Sequence, residues 1–256
     1  MRLAPLVLAA VPACFPQSAG APASAVSLGS PAGELPAHET LFYNVEWRLI
    51  NAGRAKVEFH REPADGAQVK IHLESAGLVS TLYKVDDLYS ANLSSALCAE
   101  SVQMTSHEGS RSRETKIAFD AAAHRADYLE RDRIKGTVLL QKEIEIPACV
   151  HDVLGGLMYM RTLNLEPGQS TMAAVTDGKR SVMAKVEAQS REEIKTPEGT
   201  FHTVCYEIYL FNNVLFRRPA HLNIWLTDDR RRLPVQIRVR MQFTIGTITL
   251  QLQKHE

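Results

Sequence analysis

Residues 233–253 read LPVQIRVRMQFTIGTITLQLQ. From Leu233 to Ile245 every odd position is apolar and every even one is polar or proline. After Gly246 the phase flips, and Ile248, Leu250 and Leu252 become the apolar set. A period of two places alternate side chains on opposite faces of a strand, one on a core and one in water. A flip at glycine marks a turn or bulge between two such strands. This stretch predicts antiparallel sheet.

The same reading extends to the N-terminal side. Leu41, Tyr43, Val45, Trp47 and Leu49 alternate, and the pattern resumes at Ala55, Val57 and Phe59 after Asn51-Ala52-Gly53, which is expected to form a hairpin turn. Val69, Ile71 and Leu73 supply a third neighbour. A short helix is expected over 77–84, then strands near 85–93, 100–107, 113–119, 125–131 and 136–146. His151–Leu163 is the clearest helix, with Asp152 as its cap and Val153, Leu157 and Met160 on one apolar face. Gly155 and Gly156 weaken that helix, so tertiary contacts must fix it. Further strands are expected around 170–175, 181–188, 201–211 and 221–226. Strands dominate too strongly for alternating βαβ units. The expected fold is mainly β: a strongly curved antiparallel sheet or incomplete β-barrel, with one short helix covering an opening.

The chain has 256 residues, with 29 Lys plus Arg balanced by 29 Asp plus Glu. Zero net charge gives no general attraction to nucleic acid, and no nucleic-acid partner is expected. The runs Arg217-Arg218 and Arg230-Arg231-Arg232 read as solvated turns. Arg2, the apolar stretch Leu3–Val11 and Ala23-Ser24-Ala25 resemble a signal peptide over residues 1–25. Alternatively, Val11-Pro12-Ala13-Cys14 is an imperfect lipidation motif that would anchor the chain through Cys14. Residues 26–38 read as a flexible leader and 39–256 as a single β-rich domain. Periplasm or cell envelope is the expected location, as an outer-membrane lipoprotein if Cys14 is acylated; membrane association would otherwise be absent. Cys98, Cys149 and Cys205 permit one disulfide and a free thiol, but their surroundings favour small core side chains.

HDVLGGLMYMRTL at 151–163, DGKR at 177–180, PEGTF at 197–201 and WLTDDRRRLPVQI at 225–237 resemble the DUF3108 family of bacterial exported proteins, and AGRAKVEF at 52–59 is compatible. The resemblance spans about residues 39–253. Members usually carry Asp-Pro before the central helix, whereas Val153 follows Asp152 here. The resemblance implies an exported protein without an assigned catalytic activity. Its β-rich shape invites a fold analogy with the incomplete barrels of periplasmic lipoprotein carriers, which hold acyl chains beneath helical cover. That analogy places no acyl-binding residue on this chain.

The residues themselves show no reaction centre. Asp228 and Asp229 are adjacent, and TDDRRR reads as a polar turn rather than a carboxylate pair. Asp152, Trp225, Asp228, Asp229 and Pro234 are therefore assigned structural roles, with Trp225 as a sheet or barrel anchor. The histidines lack metal-ligand spacing, so neither metal nor cofactor is expected. Leu82 and Tyr83, with Leu157, Met158, Tyr159, Met160 and Arg161, are the candidate surface for a hydrophobic small molecule or lipid. Tyr159 and Arg161 would orient its head group; the competing assignment is core and lid. The expected function is a non-catalytic, monomeric envelope protein that binds or shelters an apolar molecule. The alternatives are a structural module contacting another envelope protein and, outside these, a hydrolase.

Overall fold

The computed structural model describes residues 33–62, 66–241 and 246–256; the targeting segment 1–25 and Cys14 lie outside the described residues. The alternation read from the sequence becomes strands β1 (His38–Trp47), β2 (Ile50–Glu62) and β3 (Gly66–Ser75). After helix α1 (Gly77–Leu82) come β4 (Val85–Leu93), β5 (Ala99–Glu108), β6 (Arg111–Asp120), β7 (Arg125–Asp132) and β8 (Val138–Glu145). Helix α2 (Val153–Arg161) precedes β9 (Ser170–Thr176), β10 (Ser181–Thr196), β11 (Gly199–Ile208), β12 (Ala220–Thr227), β13 (Pro234–Met241) and β14 (Thr247–His255).

All fourteen strands belong to one sheet, ordered β8-β7-β6-β5-β4-β3-β2-β1-β14-β13-β12-β11-β10-β9. Every neighbour runs antiparallel, so almost every connection is a local hairpin. The exception is the crossover from β8 to β9 through α2, which links the two ends of the sheet, while chain start and chain end meet where β1 pairs with β14. Tyr43, Val45, Val57, Val69, Ile237 and Leu250 share one face, which carries the core.

The expected strongly curved or barrel form is not found. The sheet is open, ending at β8 and β9, which do not pair with each other. The β9 edge is already taken: the His151 amide donates to Ala174 O and the Thr176 amide donates to His151 O, both at 2.9 Å. The lead into α2 therefore occupies the backbone groups that a closing strand would need. At the other edge, Val138, Leu139 and Leu140 of β8 are exposed. The β9–β10 turn meets the far strands through side chains. Lys179 lies over the Tyr128 ring at 4.9 Å and 3.7 Å from Glu130. Glu130 in turn accepts from Arg113 at 2.7 Å and from the Tyr128 hydroxyl at 3.0 Å.

Local readings also shift. The β1–β2 turn falls at Arg48 and Leu49, both with left-handed φ (50° and 67°), rather than at Asn51-Ala52-Gly53. Gly53 lies within β2, where an added Cβ would stand 2.3 Å from Glu74 O. Its glycine serves close approach to β3, not a turn. The terminal motif enters an interior strand, since β13 is bonded on both sides by β12 and β14. Gln236, expected in solvent, is 3% exposed because β13 is covered on its second face too, beside Trp225. Arg232 is likewise buried, unlike its exposed neighbours Arg230 and Arg231. Residues ahead of β1, read as the end of a flexible leader, are packed: Leu35 is buried and the Glu34 amide donates to Arg230 O at 3.2 Å.

Candidate functional site

Helix α2 is short and carries two glycines, so its position depends on what holds its ends. At the N-terminus Asp152 is the cap. Its carboxylate accepts from the amides of Leu154 at 3.0 Å and Gly155 at 3.1 Å. The Tyr89 hydroxyl of β4 donates to the same carboxylate at 2.8 Å. Burial pushes the Asp152 carboxyl up from its ordinary range, and these three hydrogen bonds oppose the rise. Gly155 permits the contact: a Cβ there would lie 2.7 Å from Asp152 Oδ1 and 2.9 Å from Leu93 Cδ2.

The preceding residue is equally fixed. His151 Nδ1 lies 2.8 Å from Leu97 O, so that nitrogen carries the proton, and the ring stacks on Tyr159 at 4.4 Å. Burial lowers the tendency of His151 to take a second proton. A disulfide joins Cys98, before β5, to Cys149, before α2, with Cα atoms 5.1 Å apart. The expectation of three core cysteines is corrected to one bridge plus buried Cys205. Burial pushes the Cys205 thiol up to about 12, which makes it a core side chain rather than a nucleophile.

At the other end of α2, Arg161 is fully buried. Its guanidinium meets Glu39 of β1 at 2.5 and 2.9 Å, and also donates to Arg231 O and Arg232 O, each at 3.1 Å. Helix α2 thus runs from β4 and β9 to β1 and the β12–β13 turn, across one end of the sheet.

Between α2 and the apolar face lies a cavity of about 290 Å³. Tyr43, Val57, Ile71, Val186, Ile237 and Leu250 form much of its sheet wall. Val153, Leu154, Leu157, Tyr159 and Met160 form its helical wall. Phe211, Leu215 and Phe216, from the β11–β12 connection, complete the enclosure. The volume lies near the lower end of small-molecule pockets, about 300–1,000 Å³. Three polar groups on the wall serve structural bonds. The Tyr43 hydroxyl donates to Pro234 O at 2.7 Å, Thr176 Oγ1 donates to Arg180 O at 2.9 Å, and Asp152 caps α2.

The structure sorts the seven ligand candidates. Leu157, Tyr159 and Met160 line the cavity. Met158 is buried without lining it, and Arg161 is consumed by its ion pair, so neither position fits an exposed mouth. Leu82 and Tyr83 are exposed at α1, away from the cavity wall. Among the motif residues, Asp229 accepts from Thr227 Oγ1 and the Arg231 amide, while Asp228 accepts from Arg191 Nε at 2.8 Å. These carboxylates organise a turn. Trp225 is buried on the face opposite the cavity: its indole donates to Glu192 at 3.0 Å and Arg238 covers the ring at 4.9 Å. Sequence reading missed the aromatic wall because 201–211 read as continuous strand. The signal was Asn212-Asn213, whose left-handed φ values (58° and 67°) turn the chain. Among the described residues, no group of three or more His, Cys, Asp or Glu is placed to hold a metal.

The fold is similar to a β-barrel-like protein of the domain of unknown function DUF1849 from Brucella abortus, with TM-score 0.56 and 8% identity over 87% of this chain and 98% of that one. A DUF1089 family protein from Pseudomonas aeruginosa has TM-score 0.40 and 14% identity, over 74% of this chain and 90% of its own. A protein described as exported, with a YmcC-like fold, from Bacteroides fragilis has TM-score 0.35 and 8% identity, over 89% and 99%. No curated protein matches the chain. The DUF3108 model, described as a protein of unknown function, matches residues 43–253, and the chain belongs to that family.

Proposed function

We propose that this protein is a non-catalytic envelope protein that binds an apolar molecule, of the size and flexibility of a single acyl chain, in the cavity beneath α2. The carrying observation is the wall itself: aliphatic and aromatic side chains surround about 290 Å³, and the Tyr43, Asp152 and Thr176 polar groups are already engaged. Such a wall favours dispersion and loss of apolar surface over directional recognition. Leu157 and Met160 would contact the chain, and the Tyr159 hydroxyl would meet its polar end. Arg161 is engaged by Glu39 and serves to hold the end of α2.

An oxidising compartment fits the Cys98–Cys149 bridge, and export to the periplasm or envelope also fits the N-terminal targeting pattern. A non-enzymatic role fits the structural use of Asp152, Asp228, Asp229 and His151. Native mass spectrometry of protein gently purified from the envelope tests the proposal. A stoichiometric mass increment that organic extraction removes and identifies as acyl lipid supports it. Protein of bare sequence mass, with no uptake of added fatty acid, would reject it.

A further inference from the structure

The sheet has two unlike ends. At the end away from the C-terminus of α2 lie the connections 48–49, 76–84, 109–110, 133–137 and 209–219. These carry Arg48, Lys84, Arg133, Lys135, Arg217 and Arg218, and no Asp or Glu. Asp177, in the connection 177–180, belongs to a turn that packs inward on Ile117 and Tyr128. The β13–β14 connection falls largely outside the described residues. At the opposite end charges are mixed and paired: 197–198 and 228–233 carry Glu198, Asp228 and Asp229 beside Arg230, Arg231 and Arg232, with Arg231 on Asp229 and Arg232 on Asp228. The Arg217-Arg218 run therefore has company facing the same way, which sequence alone could not establish.

The basic end also carries protruding apolar side chains. Leu49, Leu78, Leu82 and Ile134 are 93%, 70%, 78% and 70% exposed. Leu49 follows Arg48, Leu82 is near Lys84, and Ile134 stands between Arg133 and Lys135. The tips form a continuous rim. The Ala76 amide donates to Ala52 O at 2.9 Å, Gly109 to Lys84 O at 2.8 Å, and Arg133 to Ser112 O at 2.9 Å. Nearby carboxylates are occupied: Asp86 meets His72 at 2.9 Å, Asp87 accepts from the His107 amide, and Asp132 from the amides of Ile134 and Lys135. Glu46 and Glu108 lie on the strands behind the turns. A leucine at left-handed φ in full solvent at a hairpin tip serves no packing purpose within the chain.

We infer that this rim docks on an anionic lipid bilayer. Leu49, Leu78, Leu82 and Ile134 enter the headgroup boundary, while Arg48, Lys84, Arg133 and Lys135 meet lipid phosphates. Single apolar tips, three of the four close to a cation in sequence, suit a fluid anionic interface better than a flat, continuous patch suits a folded partner. The surface stands on its own geometry and holds whether or not the cavity is filled. It also has a link to the cavity, because Phe211, Leu215 and Phe216 line it and Arg217-Arg218 follow in the same connection.

Vesicle flotation tests the inference on protein carrying Cys14→Ser, so that no acyl anchor contributes. Vesicles of phosphatidylcholine with about one-third phosphatidylglycerol should carry the protein up at least tenfold better than phosphatidylcholine alone, and 0.5 M salt should abolish most of the difference. The triple variant L49S/L82S/I134S and the double variant K84E/K135E should each lose most flotation with unchanged melting temperature. Equal flotation of the variants, or none of the parent on anionic vesicles, overturns the proposal. Concentration-dependent dimers that the triple variant dissolves, without vesicle binding, would give the surface to a second copy and likewise overturn it.

Discussion

Arg161, the last residue of α2, holds Glu39, near the start of β1, in a two-point ion pair with contacts of 2.5 and 2.9 Å and little exposure of either side chain. The pair joins a helix near the middle of the chain to its first strand. Its remaining donors bind the β12–β13 turn, so one guanidinium connects three segments. Removing one partner should cost about 3–5 kcal/mol, because the other charge stays buried and uncompensated. Arg161→Met should therefore lower the urea midpoint strongly, and the double variant R161M/E39M should recover part of the loss.

The Cys98–Cys149 bridge, which spans 51 residues of sequence, fixes the other end of α2. Closing a loop of that length contributes about 4 kcal/mol in the chain-entropy view. Reduction, or the double variant C98S/C149S, should lower thermal stability by that order while leaving far-ultraviolet dichroism at low temperature little changed.

His151 and Asp152 predict opposite pH slopes. Burial lowers the His151 pKa below its ordinary 6.5, so the unfolded chain takes up a proton first. Its stabilising contribution is complete above pH 6.5 and is lost as pH falls through the lowered folded value. Burial raises Asp152 above 3.8; its favourable contribution is present below 3.8 and is lost as pH rises through the folded value. Denaturation curves from pH 3 to 8 should show H151Q losing less stability than the parent as pH drops below 6.5. Asp152→Asn should lose less stability than the parent as pH rises above 3.8.

Trp225 is 5% exposed, yet it lies on the face opposite the cavity, under Arg238. Trp225→Ala should cost about 3–5 kcal/mol. Trp225→Phe should cost less, chiefly through the lost indole bond to Glu192, and neither change should alter ligand uptake beyond the folded fraction. Chemical denaturation with uptake measured on the same samples separates these effects.

The strands were most legible where alternate side chains are buried, as Tyr43, Val45, Val57 and Val69 show; β8, nearly all exposed, and β13, buried on both faces at its start, depart from that pattern. Asp152 and the glycines announced a helix that needed outside support, and the structure supplies it. Closure was not legible. Period-two alternation fixes faces, but β8 and β9 stay apart because His151 occupies the β9 edge, a contact between residues without a local pattern. The partner of Arg161 was not legible for a related reason: Glu39 stands opposite it from 122 positions away, with no local pattern to announce the pair. The disulfide likewise depends on two loops meeting in space.

Whether an apolar molecule occupies the space beneath α2 is decided by ligand uptake in a cavity-filled variant. Ile237 lines the cavity on β13, and Ile237→Trp would fill much of its space from a partly buried position. Delipidated parent protein should take up a fluorescent fatty acid at one per chain, while I237W should bind at least tenfold more weakly with its melting temperature nearly retained. Equal binding by the folded variant and the parent would contradict an apolar ligand site beneath α2.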